Sequence, residues 1–167
     1  MSKSRRSVAI DEEIVEELSK FSDDRGMTLA GYIRSMFISA IQAERSGFYP
    51  PNLLKEALGY ETLKRLGFIF VPVSILDAQS EEEIEDLGKD LGKALAELSP
   101  NASEIFERYA LSLKIAFPRG SSLLILPSRN PESKLRSLLI GMAIGLGLKV
   151  EREGEIVIVR LGDREPQ

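Results

Sequence analysis

The chain has no cysteine, no histidine and no tryptophan. Without thiols there is no disulfide and no thiolate nucleophile. Without imidazole there is no Ser-His-Asp arrangement, and without either there is no zinc site of the usual kinds. Most hydrolytic and transition-metal chemistry is thereby excluded, and no cofactor, no metal and no enzymatic activity are expected. Carboxylate-only magnesium or calcium sites survive this elimination, and the densest acidic stretch is SEEEIED, Ser80 to Asp86. It reads instead as a serine N-cap followed by acids that complement a helix dipole, and no Asp-rich calcium loop is present. Long hydrophobic runs are also missing. The longest, Leu138 to Leu148, is too short to cross a bilayer, and the N-terminus is a basic stub lacking the apolar core of a signal peptide. A soluble, cytoplasmic protein with no membrane partner is expected.

What is present is ordinary in amount and uneven in arrangement. The 167 residues are 43% hydrophobic, and 22 Lys or Arg stand against 26 Asp or Glu, a net charge of −4. That is enough chain for one compact domain, or for a small domain and a medium one. Three cations, Lys3, Arg5 and Arg6, precede the alternating stretch Ser7 to Ile10. In an extended strand Val8 and Ile10 would share one side, and Arg5, Ser7 and Ala9 the other. Asp11 then reads as the N-cap of a helix with Glu12 and Glu13 in its first turn and Ile14, Leu18 and Phe21 at helical spacing. Gly26 is the expected left-handed closing residue, and Thr28 the cap of a second helix. That helix carries Leu29, Tyr32, Ile33, Met36, Phe37, Ala40 and Ile41, a wide apolar stripe. One strand and one thin helix cannot cover it. A unit this small has too little core to stand alone, so a homodimer is expected, its core built from Val8, Ile10, Ile14, Leu18, Tyr32, Ile33, Met36 and Phe37.

The segment RRSVAIDEEIVEELSKFSDDRGMTLAGYIRSM resembles the ribbon-helix-helix family of DNA-binding proteins over residues 3–46. The shared pattern is a basic alternating strand, an acid-capped helix, a turn containing Gly, and a second helix opened by Ser or Thr. The resemblance implies an intertwined dimer whose two-stranded ribbon lies in the major groove of double-stranded DNA. Arg5, Ser7 and Ala9 would then read bases, with Lys3 and Arg6 close enough to reach the backbone. It also implies that Met27, Thr28 and Leu29, at the start of the second helix, hold a phosphate. Residues 1–47 contain seven Lys or Arg and eight Asp or Glu, a net of −1. The module thus has no general basic field, and its positive charge is most concentrated in the opening segment, which suits groove insertion better than indiscriminate wrapping.

Gly47, Pro50 and Pro51 mark a boundary, and residues 48–66 read as a linker with a short helix from about Asn52 to Arg65. Residues 67–162 read as a second domain, and 163–167 as a disordered tail. FIFVPVSIL is expected to be a buried strand, with Pro72 placing it at an edge or a bulge; Ser80 to Leu98 a helix in which Gly88 and Gly92 allow close packing; Asn101 to Tyr109 another helix. LSLKIAF and LLILPS are expected to form a hairpin, Asn130 and Pro131 to open a helix ending near Leu146, and KVEREGEIVIVRL to give two short strands around Gly154, or one strand after a turn. The order is that of a split βαβ unit. The expected fold class is therefore α+β, a ribbon-helix-helix followed by a ferredoxin-like α/β sandwich that oligomerises or senses.

This layout is also that of nickel-responsive repressors, which hold their metal through His and Cys; neither occurs here, so only oligomerisation or another kind of sensing carries over. Gly141, Gly145 and Gly147 resemble a dinucleotide fingerprint superficially, but they end a helix, so helix packing is the reading. Arg119 and Arg129 stand among turn residues where an anion could sit. The leading expectation is a sequence-selective transcriptional regulator, acting as a repressor, dimeric and in some states tetrameric. The alternative is an antitoxin-like or scaffold protein that dimerises by its N-terminus and binds a protein partner through the rest.

Overall fold

The computed structural model describes residues 8–128 and 132–162. Their backbone divides into two compact units, Met1–Phe68 and Ile69–Gln167.

The first unit is helical. α1 (Glu12–Asp24), α2 (Leu29–Arg45) and α3 (Pro50–Arg65) follow one another without an intervening strand. Glu12 and Glu13 occupy the first turn of α1, although Asp11 makes no side-chain hydrogen bond to it. Gly26, at φ +63°, closes α1, and the Met27 N–H donates back to the Ser22 carbonyl at 2.9 Å. Only a residue without Cβ takes that backbone at no steric cost. Thr28 caps α2, its Oγ1 accepting from the Gly31 N–H at 3.1 Å. The prolines do more than end a helix. Pro50 and Pro51 occupy the first positions of α3, where a missing N–H is harmless and the fixed φ is already helical.

The second unit begins with an irregular apolar segment and a 3-10 turn, Val73–Leu76, followed by α4 (Glu81–Leu98) and α5 (Ala102–Ser112). A hairpin of β1 (Ala116–Arg119) and β2 (Ser122–Ile125) leads to α6 (Glu132–Gly145) and a second hairpin, β3 (Lys149–Glu153) with β4 (Ile156–Arg160). The sheet order is β1-β2-β4-β3, and every pairing is antiparallel. Ser80 caps α4 by accepting from the Glu83 N–H at 3.1 Å, and Glu83 Oε2 accepts in return from the Gln79 N–H at 2.8 Å. The acidic stretch is thus helix-starting chemistry.

The core lies between the helices and one side of the sheet. Leu123, Ile125, Val157 and Val159 point into it, against Ile84, Phe106, Leu138 and Leu139, and each such side chain contributes about 1.5–3 kcal/mol by leaving water. α4 and α6 pack so closely that backbone meets backbone. A Cβ on Gly88 would stand 2.5 Å from the Leu138 carbonyl oxygen, and one on Gly141 would strike the Glu85 carbonyl. The glycine spacing in both helices serves packing, as the sequence suggests.

The fold class expected from the sequence is corrected at both ends. Val8, Ala9 and Ile10 are not in a strand, and no other described segment of the first unit is a strand, so their backbone has no ladder to join there. The described part of the N-terminal unit is helical and carries no ribbon. The second unit is not ferredoxin-like, because FIFVPVSIL supplies no strand: its end forms the 3-10 turn, with only Ile75 buried. Pro72 lacks the N–H a ladder needs. Four antiparallel strands in two hairpins remain where a split βαβ sheet was expected. LSLKIAF is corrected in part, since α5 runs through Leu111 to Ser112 and β1 starts only at Ala116.

Candidate nucleic-acid interface

The candidate interface lies on the first unit, whose burial pattern is unusual. Among its described residues, Ser22 alone is buried, and its hydroxyl donates to the Ser19 carbonyl at 2.8 Å. No apolar side chain there is buried. Leu18, Leu29, Tyr32 and Ile33 are half-covered where α1 meets α2. Ile10, Ile14, Phe21, Met36, Phe37 and Ile41 are exposed, Phe37 to 57% and Val8 to 79%. Of the residues expected to form a dimer core, none that the structure describes is fully buried.

The turn between α1 and α2 holds the polar features. The Met27 N–H is committed to the Ser22 carbonyl, and the Gly31 N–H to Thr28, so of the first-turn donors those of Leu29 and Ala30 are left without intrahelical acceptors. The helix dipole places partial positive charge there. Arg25 adds a full charge nearby. Its guanidinium donates to the Phe21 carbonyl at 3.1 Å and lies 5.5 Å from the Tyr32 ring centroid, a cation-π arrangement that holds a flexible side chain in place. Sequence reasoning passed over Arg25, because a cation in a turn looks like a helix-ending residue; its i,i+7 relation to Tyr32 across the turn was the available signal.

Ala9 is exposed at the entry to α1. Lys3, Arg5, Arg6 and Ser7 lie outside the described residues, as do Arg129 and the segment 163–167 expected to be a tail. Arg119 is an exposed residue at the tip of the first hairpin, beside Gly120 at φ +59°. No group of His, Cys, Asp or Glu among the described residues is arranged to hold a metal ion. No helix among them is long and apolar enough to cross a membrane. Comparison with family models, with curated proteins and with solved structures finds no match.

Proposed function

We propose that the protein is a homodimeric, sequence-selective DNA-binding regulator, acting as a repressor, in which the first unit of two copies associates through the exposed faces of α1 and α2. The observation that supports this most directly is the absence of any buried apolar side chain in the described part of that unit. Three helices with no core do not offset the conformational entropy of ordering them. A second copy supplies the missing layer, because the same stripe on both chains is self-complementary about a two-fold axis.

DNA binding is the reading of the charge. Lys3, Arg5 and Arg6 are concentrated just ahead of α1 in a chain that is acidic overall. Arg25 and the N–H groups left without intrahelical acceptors at the start of α2 offer a second anion-accepting point. In a dimer these are presented twice, which matches the repetition of phosphates and of half-sites along a duplex. Arg5 is the candidate for base contact, since arginine can bond a guanine edge with two donors.

Selection of bound duplexes from a random pool at two salt concentrations tests the proposal. The expected result is an enriched inverted or tandem repeat, with affinity falling as salt rises by a slope of about −0.9 per phosphate contacted. Arg5→Ala is expected to relax selectivity at one position, costing about 1–3 kcal/mol there. A pool that stays unselected at both salts, or an Arg5→Ala variant that binds every sequence as the parent does, overturns the assignment.

A further inference from the structure

The helices cover one side of the β-sheet; the other side sets four apolar strand residues, Phe117, Leu124, Ile156 and Ile158, among Arg119, Ser122, Lys149, Glu151, Glu153 and Arg160. Opposite to the core-facing residues, alternation sets Phe117, Leu124, Ile158 and Glu151 in one row across the four strands. Leu126 and Ile156 extend the greasy area along the next row. Phe117 is 46% exposed and Ile156 37%. Ile158 is buried, yet it does not belong to the core cluster that the helices form.

Two corners of this face carry unpaired charge. Arg119 ends the outer strand β1, and Glu153 ends β3, the outer strand at the opposite side. Neither has an ion-pair partner among the described residues. The nearer charges are matched in part, two cations sharing one carboxylate. Glu151 accepts from Lys149 at 2.8 Å and from Arg160 at 3.1 Å.

The sheet edges are closed to association. Pro118 removes a donor from β1, and β3 presents Lys149, Glu151, Arg152 and Glu153 in a five-residue strand. Both are devices that discourage edge-to-edge pairing. The face is therefore the route left for this sheet to bury apolar area.

We propose that this face packs against the same face of a second copy, with the strands of the two sheets crossing near a right angle. A two-fold axis lying in the interface along the other diagonal exchanges the Arg119 and Glu153 corners, so each arginine meets the partner copy's glutamate and the pair forms twice. It sets the apolar rows against each other, in one of the two arrangements that packed sheets adopt. The Lys149 corner falls near the axis, where Glu151 pairs with Lys149 and is shared with Arg160. Four short strands present a footprint on the order of 19 by 15 Å, small beside a standard interface. The contact is thus weak alone and leans for its strength on the proposed first-unit dimer, where linkage raises the effective concentration.

The native absence of cysteine makes the test clean. In the full-length double variant Arg119→Cys, Glu153→Cys the two thiols of one chain stand about 19 Å apart across the sheet, beyond a short bismaleimide, so a covalent product must join two chains. The expected result is a crosslinked dimer whose yield falls roughly tenfold or more when Phe117→Asp is added. No crosslinked dimer, or a yield indifferent to Phe117→Asp, overturns the proposal. Crosslinking that appears only when duplex DNA is added assigns the face to a DNA-bound assembly, and overturns it too. Phe37→Asp separates the two readings. If it leaves the sedimenting mass unchanged while the sheet crosslink forms, only the first-unit dimer fails; if it dissociates the chain and no crosslink ever forms, only the sheet pairing fails.

Discussion

Glu151 shows how much a single position depends on what the fold sets beside it. Hydrogen bonds from Lys149 and then from Arg160 hold its carboxyl below the usual glutamate value of 4.5. A carboxylate whose folded value is depressed adds stability that is fully present above its unfolded value and is lost as pH falls through the folded one. Glu151→Gln is therefore expected to be less stable than the parent at neutral pH and to converge with it in acid. Denaturant titrations at several pH values check this, and curves that stay parallel would show that the ion pairs contribute nothing. Some residues were legible from their neighbours in the chain. Gly26 and Gly120 adopt the positive φ their turns require, at +63° and +59°. Lys114 was not legible: at φ +60° it ends α5 in a conformation that favours glycine, and its position inside LSLKIAF made the apolar alternation look like one long strand.

At the level of elements, the sequence marked helix starts and glycine contacts well, because caps and small residues act within a turn or across one helix pair. The α4–α6 contact makes a sharp expectation. Gly88→Ala pushes a Cβ to 2.5 Å from the Leu138 carbonyl oxygen, and the rigid backbone on both sides leaves it nowhere to move, so a loss of about 1–3 kcal/mol or more is expected. Gly59→Ala is the control. It lies inside α3 with nothing within 4 Å of the added Cβ, and the better helix former is expected to stabilise by about 0.5–1 kcal/mol. Thermal melts of the two variants beside the parent decide the matter, and equal shifts would refute the packing argument. FIFVPVSIL shows where local reading stops. Its composition is that of a strand, but Pro72 and the lack of a partner ladder leave it irregular with a 3-10 end, and Val73 and Leu76 stay exposed to 78% and 76%.

For the whole molecule, the contrast between the units governs behaviour. Phe106, Leu123, Ile125, Leu138, Leu139, Val157 and Val159 are essentially inaccessible in the second unit, while the described part of the first buries no apolar side chain. If association supplies the first unit's core, its unfolding depends on protein concentration by mass action, and that of the second follows its own packing. Two transitions are expected in helical circular dichroism. The earlier should rise in temperature with concentration, and Phe37→Asp should lower it with little effect on the later one. A single transition independent of concentration would remove the support for the dimer.

The sequence by itself determined the absence of thiol and imidazole side chains, the positions of most helix starts, the first hairpin turn and the concentration of cations ahead of the first helix. All of these follow from residue type or from contacts a few positions apart. Only the tertiary structure decided that residues 8–10 join no strand, that the sheet is two antiparallel hairpins ordered β1-β2-β4-β3, and that Phe117 and Ile156 on one face of that sheet and much of the α1–α2 stripe stay exposed. A strand exists only when another strand satisfies its backbone, and a face is buried only when some other surface meets it. Those partners are distant in the chain, so no local pattern names them.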